Sequence, residues 1–218
     1  MRDTTRWAVA AGLSAMALLG ACGSDDDSSS PELLPPDATV GDSTITDLFV
    51  EFAQALVEVP LDANMLADPA QCDMGRSTAD VYFAPTFGAP GETTTSCSMS
   101  SDQSLLLVPA GVFCMESPDE AADVACLDNG WDLTSASVTI DGVETTDLSA
   151  YEIDTPVETA SLPDGNIFEL PAGDTPQISR GQVVLVDGLE AGDHEVVVAA
   201  DFGDGEFAGS LAIALTVE

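Results

Sequence analysis

The chain has 218 residues, 39 acidic against four basic, and a formal net charge of −35. A field of that sign repels phosphate backbones, which excludes nucleic-acid binding. The acids are scattered rather than clustered, as on a solvated face that keeps an exported protein soluble; capture of cations or basic partners is the sharper alternative.

Arg2 and Arg6 open the chain with positive charge, and residues 7–21 are apolar. That run has signal-peptide length and is too short and rich in small residues for a membrane span. It ends in Leu19-Gly20-Ala21-Cys22. The segment resembles bacterial lipoprotein signal peptides, whose cysteine is lipidated on its thiol and becomes residue one. The resemblance implies removal of residues 1–21, lipidation of Cys22, and a protein held to the membrane by lipid, outside the cytoplasm. An ordinary secretory signal with a chance cysteine is the alternative. No Arg-Arg pair is present, so export in the unfolded state is expected.

Residues 22–42 read as a tether. Asp25, Asp26 and Asp27, three serines, Pro31, Pro35 and Pro36 leave little to bury before residue 37, so disorder is expected there. A coil of about 13 residues spans on the order of 20 Å. Residues 43–218 suit one domain with a substantial core.

Apart from Cys22, the cysteines are Cys72, Cys97, Cys114 and Cys126. An even number in an exported domain argues for disulfides. Three pairings are open; the local one, Cys72–Cys97 with Cys114–Cys126, is expected, each bond stabilising by about 3 kcal/mol. A metal site is the rival, disfavoured because no Cys-x-x-Cys occurs and the single histidine is distant in sequence.

Ser43 or Thr44 can cap a helix. Ile45, Leu48, Phe49, Phe52, Leu56 and Val57 then recur at helical spacing, with Asp47, Glu51, Gln54 and Glu58 opposite, until Pro60 ends the helix. A loop with Cys72 follows. Strands are expected at Val81-Tyr82-Phe83, at Leu105-Leu106-Leu107-Val108 and, beyond Pro109 and Gly111, at Val112-Phe113. Ser117-Pro118-Asp119-Glu120 looks like a helix start, and residues 121–127 make a short inserted helix. Further strands are expected at 135–140, 167–170, 182–186, 195–200 and 211–217, with Asp141-Gly142 as a hairpin turn. The expected fold class is mainly β: an antiparallel β-sandwich with one N-terminal amphipathic helix and a short inserted helix.

From Phe49 onward the chain resembles an uncharacterised family of exported bacterial proteins. The residues carrying the resemblance are Val59-Pro60-Leu61-Asp62-Ala63-Asn64, Gly75-Arg76, Val81-Tyr82-Phe83-Ala84, Cys97, Ser104-Leu105-Leu106-Leu107-Val108-Pro109, Cys114, Asp141-Gly142-Val143, and Leu189-Glu190-Ala191-Gly192-Asp193-His194-Glu195-Val196. The family's Pro-Ala-Gly-Lys signature is missing, and Tyr82 replaces its usual tryptophan. The resemblance supports the sandwich and the cysteine pairing and implies no catalytic residue. Ala200-Asp201-Phe202-Gly203-Asp204-Gly205 echoes a PKD-domain motif but is read as a hairpin turn.

His194 is the single imidazole. Alternation puts it on the face of Val196 and Val198, so a hydrogen-bonded structural role at the core rim is expected ahead of a catalytic one. No Gly-x-Ser-x-Gly or His-Glu-x-x-His motif occurs. Asp201, Asp204 and Glu206 share one Gly-rich turn and are weak calcium candidates; a solvated turn is the preferred reading. The functional expectation is a lipid-anchored extracytoplasmic binding or structural module, without cofactor, whose protein or glycan partner the sequence does not name. The alternatives are an extracellular hydrolase using carboxylates or His194, and a calcium-stabilised adhesion-type domain.

Overall fold

The computed structural model describes residues 31–72, 76–115, 120–203, 205 and 207–218. In chain order the strands before the first helix are β1 (Glu32–Leu33), β2 (Thr39–Val40) and β3 (Ser43–Thr44). Helix α1 (Ile45–Glu58) leads to β4 (Val81–Phe83), β5 (Gly91–Met99) and β6 (Ser104–Met115). Helix α2 (Glu120–Gly130) precedes β7 (Leu133–Ile140), β8 (Val143–Thr145), β9 (Glu152–Asp154) and β10 (Glu158–Leu162). The long strands β11 (Gly173–Asp187), β12 (Gly192–Phe202) and β13 (Phe207–Val217) close the chain. The fold is mainly β, with sheets and one long amphipathic helix.

One sheet is ordered β1-β11-β6-β4, with β9 and β10 also pairing with β11; the other is β5-β13-β12-β7-β8. Leu105, Leu107, Val184 and Val186 of the first sheet share a core with Val138, Val196, Val198 and Leu211 of the second. Alternate residues of the first sheet, among them Leu106, Val183 and Leu185, pack outward against α1. The layers therefore run α1, first sheet, second sheet.

Helix α1 starts where Thr44 and Asp47 form a reciprocal capping box. The Asp47 amide donates to Thr44 Oγ1 at 3.1 Å and the Thr44 amide donates to Asp47 Oδ2 at 2.9 Å. No glycine stops the helix. Instead fully buried Asn64 donates from Nδ2 to the Leu56 carbonyl at 2.6 Å and accepts from the Leu66 amide at 3.0 Å. One side chain thus satisfies a helix-terminal carbonyl and folds the loop back.

The structure departs from the sequence expectations at several places. Residues 31–42, expected within the tether, lie on the domain: Leu33 pairs with Val186, the Leu34 amide donates to the Leu185 carbonyl at 2.8 Å, and Leu34, Ala38 and Val40 pack against the α1 core. Those apolar side chains have a surface to bury on, which outweighs the Pro and Asp around them. The two segments around Pro109 form the single strand β6. Its register with β11 slips between Gln182 and Val184, so Val108 and Pro109 share the space opposite Val183. Such a bulge accommodates a residue with no amide hydrogen.

Residues 167–170 are a loop, not a strand. Asn166 closes it, donating to the Pro163 and Leu170 carbonyls and accepting from the Phe168 and Leu170 amides. Strand β5, rich in Ser and Thr, has no apolar alternation beyond buried Cys97 and Met99 and was not legible. Finally, β5 runs parallel to β13 and β4 parallel to β6, so the sandwich is not purely antiparallel. The chain leaves the first sheet after β4, crosses to the second as β5, and returns beside β4 as β6. The helix-start residues Ser117, Pro118 and Asp119 lie outside the described residues.

Gly181 shows how tightly α1 sits. A Cβ added there would lie 2.6 Å from Phe49 Cζ. Gly181→Ala is expected to destabilise by about 1–3 kcal/mol through overpacking, while Gly188→Ala disturbs no neighbour and acts only through its positive φ of 73°. Denaturant midpoints of the two variants check this; a Gly181→Ala protein as stable as the parent contradicts the packing.

Candidate functional site

Cys72 joins Cys97 and Cys114 joins Cys126, with Cα separations of 5.8 and 6.1 Å. The first bond ties the loop after α1 to β5, and the second ties α2 to β6. Disulfides belong to an oxidising, extracytoplasmic compartment. Among the described residues no helix is long and apolar enough to cross a membrane. Cys22 lies outside the described residues.

Helix α2 is fixed to the sheet by charge as well as by sulfur. Arg180 on β11 makes a two-pronged contact with Asp154, Nε to Oδ1 at 2.6 Å and Nη2 to Oδ2 at 2.9 Å, and its Nη1 reaches Asp128 on α2 at 3.1 Å. The Asp154 hydrogen bond, set against partial burial, pushes the guanidinium further into its charged range. Trp131 donates to Glu152 at 3.1 Å beside this fork. Arg76, the other arginine of the domain, pairs with Glu58 at 3.3 Å.

His194 sits at the opposite rim, near the start of β12. Its side chain is 15% exposed. Nδ1 lies 2.8 Å from Asp141 Oδ2, and Nε2 lies 2.8 Å from the Glu190 carbonyl oxygen. A carbonyl and a carboxylate both accept, so the two contacts together favour the protonated ring, in which both nitrogens donate. Asp141 Oδ1 also accepts from the Glu195 amide at 3.0 Å, and the Asp141 amide donates to the Glu195 carbonyl. His194 thus pins the β7–β8 turn to the loop before β12.

Partial burial pulls the His194 pKa down, but the Asp141 and Glu190 hydrogen bonds and the charges of Asp141 and Asp193 raise it above the usual histidine value. For Asp141 burial acts upward, and the His194 and Glu195 contacts outweigh it and hold the carboxyl below its usual range. His194 lies on the face of buried Val196 and Val198, and both its ring nitrogens have partners. Asp141 was read only as a turn residue. Its role depends on β7 lying beside β12, a register in which Ile140 faces Val196, and no local pattern reveals that neighbour.

Beside this pair the sandwich opens into a pocket of about 270 Å³. Leu33, Val138, Ile140 and Leu189 supply its apolar wall, and Asp141, Glu190 and His194 its polar side. Val143, 67% exposed, stands at the lip. Pro31, where the described chain begins, also lines it.

The calcium candidates are only partly visible. Asp201 lies at the end of β12, and its Oδ1 accepts from the Gly205 amide at 2.7 Å within the β12–β13 hairpin. Asp204 and Glu206 lie outside the described residues. Among the described residues no group of three or more His, Cys, Asp or Glu is placed to hold a metal ion.

No family model matches the chain, and no curated protein is similar to it. One solved structure, described as "Structure of PbICP-C in complex with falcipain-2", aligns over 60% of this chain and 92% of its own, at 13% identity and a TM-score of 0.27. At that score the likeness carries no argument about this chain.

The His194 pair predicts a pH dependence. A raised folded-state pKa gives stability that is fully present below the ordinary histidine value of about 6.5 and lost as pH rises through the folded-state value. Asp141 works in reverse: its contribution is present above about pH 3.9 and lost as pH falls through its lowered value. The pair is strongest between these limits. Stability should fall as pH rises through the raised folded-state value of His194. His194→Gln should flatten the fall and, because Asp141 is half open to solvent, cost only about 1 kcal/mol at pH 6, a drop in Tm of about 2–4 °C. Melting curves at several pH values decide it; an unchanged slope in His194→Gln contradicts the clamp.

Proposed function

We propose that this protein is a lipid-anchored, extracytoplasmic binding module. The observation that carries the reading is that both ring nitrogens of His194 are engaged. A general base needs a ring nitrogen free to take a substrate proton, and both nitrogens here lie 2.8 Å from acceptors of the protein itself. A hydrolase built on this histidine would first have to break the clamp. The pocket beside it, mostly apolar with few polar groups, has the composition of a small-ligand site.

The anchor rests on Leu19-Gly20-Ala21-Cys22 together with the disulfides, which fit the compartment that such a signal serves. Labelled fatty acid fed to expressing cells should enter the protein, and Cys22→Ser should abolish the incorporation. Equal labelling of the variant removes the anchor from the account.

In this reading Asp201, Asp204 and Glu206 hold no calcium. Sodium chloride should raise Tm by screening self-repulsion. Calcium or magnesium added at constant high sodium chloride should leave it unchanged. A calcium-only rise, lost in Asp204→Ala, would make the turn a metal site.

A further inference from the structure

We infer that the pocket beside His194 binds a small hydrophobic amine: an apolar body of about ring size carrying one protonated nitrogen at the pocket mouth. The inference rests on the reading of the protein as a binding module and names the ligand class of its pocket.

Size comes first. A dry apolar cavity of about 150 Å³ is enough to take up benzene. A pocket of about 270 Å³ therefore takes a ring with a short side arm. Ile140, Leu189 and Val138 are buried walls that reward apolar contact. Val143 leaves the lip apolar, where a ligand would cover it.

Charge selects the head group. The charged side of the pocket offers acceptors, beside the Thr145 hydroxyl, which can donate or accept. Both His194 N–H groups are directed to Asp141 and the Glu190 carbonyl. The Asp141 carboxylate accepts from His194 and the Glu195 amide and keeps lone pairs free, since a carboxylate offers about four acceptor sites. Glu190, exposed, also lines the pocket and adds negative charge near it. The two arginines of the domain are paired elsewhere, with Glu58 and with Asp154 and Asp128. Across a chain of net charge −35, an anion arriving here meets repulsion and finds no uncommitted cation. An ammonium group meets acceptors and an attractive field.

The test is a nuclear magnetic resonance titration of the processed chain, residues 22–218, carrying Cys22→Ser. The probes share one ring and differ in head group: 2-phenylethylamine, 2-phenylethanol and phenylacetate. At about 0.01 M salt the amine should bind about 5-fold tighter than the alcohol, and phenylacetate more weakly than either. Amide shifts should centre on Ile140, Val143 and Leu189. The gap between amine and alcohol should close in high sodium chloride. Val143→Arg, at a position 67% exposed, should reverse the order of amine and acid.

Equal affinity for all three probes, tighter binding of phenylacetate by the parent protein, shifts centred elsewhere, or no binding up to roughly 10 mM overturns the inference. The anchor is scored separately by the fatty-acid label, and the module reading by capture of envelope components on the same protein. Loss of the amine site therefore leaves the anchor and the module reading standing, and the failure of each is read in a separate experiment.

Discussion

Strand β11 must have both faces covered at once. Val183, Val184, Leu185 and Val186 are fully buried in succession, and burial of each such side chain is worth about 1.5–3 kcal/mol. One face requires α1; the other requires the second sheet. Its edges are filled as well: β6 runs along one, and β10, β9 and β1 follow one another along the other. The remaining architecture supplies these coverings. The capping box and Asn64 set where α1 begins and ends, Gly181 lets Phe49 approach, and the bulge at Pro109 keeps β6 in register.

Arg180, midway along β11, ties α2 and β9 to the first sheet, and the His194–Asp141 pair joins the β7–β8 turn to the start of β12 in the second. Each cation of the domain has an acidic partner, as a chain with so few cations and so many carboxylates permits. The apolar pocket lies where the two sheets part, between the His194 clamp and β1.

Legibility from sequence followed the range of the interactions. Helix α1 was legible because Ile45, Leu48, Phe49, Phe52 and Leu56 repeat at the spacing of one buried face. The hairpin at Asp141-Gly142 was legible because both residues take positive φ, 50° and 80°, as a tight two-residue turn requires. The cysteine pairs were short in range and so within reach. What was missed depends on distant neighbours. Leu33 and Leu34 looked like part of a tether until β11 supplied a partner. Residues 167–170 had strand composition but were claimed by Asn166. β5 is a strand because β13 lies beside it, not because of its own Ser and Thr. The site divides the same way: His194 stood out as the single imidazole, whereas Asp141 and the Glu190 carbonyl emerge only once β7, β8 and β12 are assembled.

The central claim is that β11 is the spine and the rim around His194 is a clamped periphery. Native-state hydrogen exchange tests it residue by residue. The account predicts that the amides of residues 183–186 and of Leu105, Leu106 and Leu107 exchange only through global unfolding. Amides of residues 188–190 and 143–145 should open locally, at a lower free energy. Exchange of the β11 amides through a local opening, while the pocket rim remains protected to the global limit, would contradict it.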